Sequence, residues 1–128
     1  MMALLIAAAA ASTPNGTFVT QDGTAVVRIE PCGTSLCGRV AEVLNRQPGI
    51  PQTDVHNPNA QLRSRPLVGL PILSGFRWDG QQWTGGQIYD PKTGRTYRSK
   101  LSVAPDGSVN VSGCVLIICE RQRWRPAH

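Results

Sequence analysis

The chain has 128 residues, enough for one sizeable core and too few for two. Lysine and arginine total 13 against 8 aspartates and glutamates, an arginine-led excess that favours polyanions in general. No zinc-finger spacing, basic helix or aromatic-glycine strand motif accompanies that charge, so nucleic acid is not an indicated partner.

Residues 2–12 run Met-Ala-Leu-Leu-Ile, then alanines and Ser12, an apolar stretch ending in small residues like the core and cleavage site of a secretory leader. A basic start is missing, and the alternative is an alanine helix belonging to the fold. The run is shorter than the roughly 20 residues a membrane-spanning helix needs, so no transmembrane segment is expected. The expectation is a signal peptide over 1–12, cut near Ala10–Ser12, and a single domain over 13–128.

Thr17–Thr20 and Ala25–Glu30 alternate as strands around a Gln21-Asp22-Gly23 turn. Pro31–Gly38 is a tight connection carrying Cys32 and Cys37. Arg39–Leu44 resumes a strand whose parity, with Arg39 outward, sends Val40, Glu42 and Leu44 inward. Asn45–Pro66 is long, proline-rich and irregular, the character of a lid or binding loop. Within it Asn57-Pro58 reads as a helix cap followed by one or two turns up to Ser64.

Leu67–Trp78 is the longest apolar stretch after the leader; Val68, Leu70, Ile72, Phe76 and Trp78 share one parity and are expected inside. Asp79-Gly80 predicts a two-residue hairpin that sets Phe76 opposite Trp83. Trp83 and Ile88 both favour the interior at odd spacing, which predicts a bulge at Gly85-Gly86. Asp90-Pro91-Lys92-Thr93-Gly94 is a turn with a mechanism at each position. Proline presets φ, the aspartate bonds turn amides, and the glycine supplies a left-handed residue. With Asp90 facing Arg95, Ile88 pairs with Tyr97, and Ser99, Leu101 and Val103 continue the inner face. Pro105-Asp106-Gly107 turns the chain into Ser108–Val115, and Cys119–Arg125 closes the set, with Val109, Val111, Gln122 and Trp124 inward. About eight short hairpin-linked strands without a long amphipathic helix read as an up-and-down barrel or a sandwich.

These motifs resemble an exported bacterial family known as domain of unknown function 2147. The resemblance rests on Cys32–Gly38, Asn57-Pro58 with Leu62–Leu70, Trp83–Pro91, Gly94–Tyr97, Gly113-Cys114 and Cys119–Trp124. It implies an all-β, lipocalin-like antiparallel barrel with a leader and implies no activity. The apolar segment between Val115 and Ile118 departs from the pattern.

The four cysteines form two Cys-x4-Cys pairs, open to three disulfide pairings or one tetrahedral zinc. Export favours disulfides, and strand parity places Cys114 and Cys119 outward at the two ends of one hairpin. Local bridges Cys32–Cys37 and Cys114–Cys119 are expected, with no metal. His56 lies in the irregular loop and His128 at the terminus, and the sequence has no nucleophile elbow or phosphate-cradling loop. Neither catalysis nor a cofactor is therefore expected.

The polar cluster of interest is Asp54, Asn57, Arg63 and Arg65 on the long loop, with Asp90, Arg95 and Tyr97 as rim partners. One reading makes the loop a lid whose arginines hold an anionic head group while the barrel takes an apolar tail. The other has these groups pin the loop to the barrel. Correspondingly, the chain is expected to bind a small amphiphilic or anionic ligand. The alternative is a filled barrel acting as an interaction module for a component of the cell envelope. Arg121, Arg123 and Arg125 form an outward row on the last strand, read as a solvated face, the alternative being a face that binds anionic envelope surfaces.

Overall fold

The computed structural model describes residues 13–127; the leader expected over 1–12 lies outside the described residues. Its strands are β1 (Gly16–Val19), β2 (Ala25–Cys32), β3 (Ser35–Val43), β4 (Pro71–Trp78), β5 (Trp83–Asp90), β6 (Arg95–Val103), β7 (Val109–Val115) and β8 (Ile118–Pro126). Each pairs antiparallel with its sequence neighbour, and the sheet closes into a barrel. Closure is made by Phe18 and Val19 of β1 against Pro126 and Arg125 of β8. The architecture is thus the barrel, not the sandwich.

The β5–β6 hairpin follows the expected register, with Asp90 opposite Arg95, Ile88 opposite Tyr97 and Tyr89 opposite Thr96. Its turn is built as its residues dictate. The Asp90 carboxylate accepts the Lys92 amide at 2.9 Å, the Asp90 carbonyl accepts the Gly94 amide at 2.8 Å, and Gly94 is left-handed at φ 74°. The bulge is present too, since Trp83 faces Leu101 but Gly86 faces Ser99. Gly85 supplies the left-handed residue at φ 71°. Gly86 is needed for space instead, because a Cβ there would sit 2.5 Å from the Phe76 ring.

Four local expectations are corrected. Glu42 and Leu44 point outward and Val43 inward, because β2 and β3 slip by one residue between Val26 and Val27, leaving Ala41 extra. The β4–β5 turn has four residues, not two, since Trp78 pairs with Trp83. The Asp79 carboxylate accepts both the Gln81 and Gln82 amides at 2.8 Å, which stabilises that wider turn. β4 slips against β3 on both sides of Leu73, with Gly75 left-handed, so Leu73 is buried beside Ile72; Trp78, opposite Trp83 where its strand ends, is 39% accessible. Val68, which precedes β4, is also exposed. Finally, Asn59 rather than Asn57 caps the single 3-10 turn Ala60–Leu62, accepting the Gln61 amide at 3.0 Å.

The core is concentrated at one end. Leu36, Phe76, Trp83, Leu101, Val109 and Trp124 are buried close to the β2–β3, β4–β5 and β6–β7 turns. Burying a large apolar side chain contributes roughly 1.5–3 kcal/mol, so this closed end carries most of the packing energy. Two cysteine pairs, Cys32–Cys37 and Cys114–Cys119, lie at disulfide distance, one across the β2–β3 turn and one across β7–β8.

Candidate functional site

Toward the other end the inward positions become small or polar. On β7 and β8, Val109 and Trp124 give way to Gly113, Gln122 and Glu120 along the same parity. Side-chain volume runs out there, leaving a cavity of about 430 Å³. Val40, Ile72, Ile88, Tyr97, Val111 and Trp124 form its wall and floor. Its rim carries Asp22, Asp90, Lys92 and Glu120 together with Val115 and Ile118.

The Lys92 ammonium pairs with the Asp22 carboxylate, bridging the β1–β2 and β5–β6 turns across the mouth. Partial burial opposes ionisation of Asp22, but hydrogen bonds from Lys92, Thr24 and Thr20 hold its carboxyl well below the usual range. A second hollow of about 300 Å³ lies beneath the long loop, lined by Val43, Ile50, Pro51, Val55, His56 and Leu67 among others. The two hollows share Thr24, Ala25, Val40, Pro91 and Lys92, so they form adjoining chambers at one opening.

The long loop is held by a buried carboxylate. Asp54 is wholly inaccessible and accepts the Tyr89 hydroxyl at 2.8 Å, the Asn57 side-chain amide at 2.8 Å and the Arg65 guanidinium at 3.3 Å. Burial of that ring and its bond to Asp54 push the Tyr89 hydroxyl up to about 12. Around this hub the Asp54 amide donates to the Arg65 carbonyl at 2.9 Å, and Thr53 pairs with Pro66. Arg63 Nε donates to the Asn57 carbonyl at 2.7 Å. The β5–β6 turn clasps the loop from the side. His56 Nδ1 lies 3.2 Å from the Pro91 carbonyl, and any Cβ on Gly94 would strike the His56 carbonyl oxygen.

The residues anticipated from sequence therefore divide. Asn57, Arg63 and Arg65 meet one another within the loop; Asp90 and Tyr97 border the barrel cavity; Arg95 is exposed beside the turn. Sequence reading did not single out Tyr89, whose outward parity hid its bond to Asp54, or the Asp22–Lys92 pair. The pair had a signal: in an up-and-down order the β1–β2 and β5–β6 turns must share one end. Among the described residues no group of three or more His, Cys, Asp or Glu side chains could hold a metal ion, and no helix is long and apolar enough to cross a membrane.

A family model described as "Uncharacterized protein conserved in bacteria (DUF2147)" matches residues 16–125. Among solved structures the chain is similar to protein HP1028 from Helicobacter pylori, described as belonging to the lipocalin family. That likeness has 20% identity and a TM-score of 0.78, covering 89% of this chain and 82% of that one. At such identity it concerns the fold. No curated protein matches the chain.

Proposed function

The chain belongs to the DUF2147 family of uncharacterized proteins conserved in bacteria, and from that premise we propose that it is an exported, non-catalytic binding protein for a small amphiphile. The carrying observation is the cavity of about 430 Å³ at the open end, mainly apolar inside with Gln122 on its wall and charged groups at its rim, the usual build of a small-molecule site. An apolar tail lies against Ile72, Ile88, Val111 and Trp124, and the adjoining chamber under the long loop accommodates a longer tail or a branch.

The head group is set by the rim. Lys92 is the one cation among the residues bordering the cavity, where Asp22, Asp90 and Glu120 are carboxylates. That balance favours a neutral or zwitterionic head that donates hydrogen bonds over a purely anionic one. Asn57, Arg63 and Arg65 support the site by holding the loop, Tyr97 and Asp90 by contacting the ligand, and Arg95 lies outside the cavity. The disulfide-distance cysteine pairs support export to an oxidising compartment.

Gly113 provides the test. It borders the cavity, and a Cβ there meets only ordinary contacts, 3.8 Å from Ile88 and Tyr97 atoms. Gly113→Leu should narrow the cavity without upsetting the barrel. The unaltered protein is expected to bind the neutral fluorophore N-phenyl-1-naphthylamine, and the variant to lose on the order of tenfold in affinity with melting unchanged. Equal binding by both would place the probe elsewhere and remove the cavity from the proposal.

A further inference from the structure

The β7–β8 hairpin ends in Val115-Leu116-Ile117-Ile118, four aliphatic residues in a row at a position where turns are ordinarily polar. Leu116 is 81% and Ile117 95% accessible. Val115 faces Ile118 across the hairpin, so Leu116 and Ile117 are the two turn residues. Leu116 sits at φ 56°, a left-handed conformation that glycine or asparagine adopts at little cost and leucine does not. Immediately behind the tip, Cys114 and Cys119 lie opposite each other at disulfide distance, bracing the hairpin so that the side chains project as a fixed wedge. Apolar residues placed against solvation and against backbone preference need a partner.

The outer face of the strands behind the wedge is basic. Arg98 shares the row of Cys114 and Cys119; Lys100 and Arg121 flank Ser112 in the next; Arg123, opposite Asn110 in the third, is already paired with Asp106 of the β6–β7 turn. The Arg98 guanidinium donates to the Leu116 carbonyl, tying the first cation to the tip. On the outward parity of β6, β7 and β8 there is no carboxylate; Glu120, opposite Gly113, is on the cavity side. Rows two residues apart are about 7 Å apart, so Arg98, Lys100 and Arg121 stand within headgroup depth of a tip embedded to the acyl boundary.

We propose that this hairpin docks the protein onto an anionic lipid bilayer, with Val115–Ile118 inserted between acyl chains and Arg98, Lys100 and Arg121 among the headgroups. Apolar insertion combined with cations at headgroup level is how peripheral proteins bind such surfaces. A second copy of the chain is a poorer occupant, because a two-fold tip-to-tip contact would set the two basic faces together. A protein partner is poorer too: four side chains on a convex turn cover far less than the roughly 1,000 Å² that a specific interface buries. Val115 and Ile118 also border the cavity, so docking sets the cavity opening against the lipid. The docking itself does not depend on the cavity being a ligand site.

Flotation with vesicles tests it, using the purified protein with its disulfides intact. The protein is expected to float with phosphatidylcholine vesicles containing phosphatidylglycerol and only weakly with phosphatidylcholine alone. Ile117→Asp, on a side chain with almost no protein contact, should cost on the order of tenfold in partitioning. It should leave melting and N-phenyl-1-naphthylamine binding unchanged, which separates this result from the cavity reading. Lys100→Glu with Arg121→Glu should abolish the preference for phosphatidylglycerol. No flotation, or flotation indifferent to Ile117→Asp, overturns the proposal. So does a dimer in sedimentation velocity that Ile117→Asp dissolves, because the wedge would then serve a second copy.

Discussion

The two ends of the barrel share one wall and differ in what fills it. At the closed end the inward positions of β4, β5 and β8 hold Phe76, Trp83 and Trp124; toward the open end β7 and β8 offer Gly113, Gln122 and Glu120. The same hydrogen-bonded cylinder is a packed core in one half and a container in the other. Side-chain volume, not topology, sets the boundary between stability and function. Charge divides in a second direction, with carboxylates around the inner rim and cations on the outer face of β6–β8.

The comparison breaks first where packing is densest. Phe76→Ala should cost about 3–5 kcal/mol, and Gly86→Val should be comparably damaging, since a Cβ there would overlap the Phe76 ring. Ile88→Ala, beside the cavity and only partly buried, should cost about 1 kcal/mol. Denaturant melts of the three variants check the contrast, and similar losses at both ends would refute it.

The loop hub comes next. Asp54→Ala strips the acceptor from the Tyr89 hydroxyl and the Asn57 amide, at a cost of about 2–3 kcal/mol. The barrel should persist while residues 45–66 become open to limited proteolysis; a variant whose loop stays resistant would show that the hub does not hold it.

The smallest effect is one of pH. Tyr89 is held at about 12 in the folded protein, against roughly 10 when unfolded. Its contribution is complete below pH 10. Between about 10 and 12 the unfolded chain loses its proton first, so stability falls as pH rises through that window. The descent should be shallower in Tyr89→Phe than in the unaltered protein, as read from melting temperature against pH.

The sequence made the wall legible where one residue type performs one task. The Asp90–Gly94 turn and the bulge could be read because proline, aspartate and glycine act locally. Parity failed where a slip is not written as a glycine pair. Glu42 was sent inward because nothing in Arg39–Leu44 announces the irregularity at Ala41, which arises between strands. Leu73 was missed because β4 slips against β3 on both sides of it, and those slips show only once Leu73 packs against Gly38. Trp78 keeps the parity of Phe76 but stands at the exposed end of its strand, and Val68 precedes the strand altogether. The loop cluster was read as a group of residues, but its direction was not. Whether Arg65 faces a ligand or Asp54 depends on Tyr89, which lies 35 positions from Asp54 on another element.

The strand order carries a consequence for assembly. Each strand from β1 to β8 pairs with the next in sequence, so nearly all the sheet can grow by zipping hairpin onto hairpin. The seam is different: Phe18 must find Pro126, with the Ala127 amide donating to the Thr17 carbonyl at 2.9 Å. Joining segments so distant along the chain carries the largest loop-closure entropy in the molecule, and few hydrogen bonds reward it. The join between first and last strands is therefore expected to form last and open first, which hydrogen exchange at the Ala127 amide, compared with the amides of β5 and β6, would check.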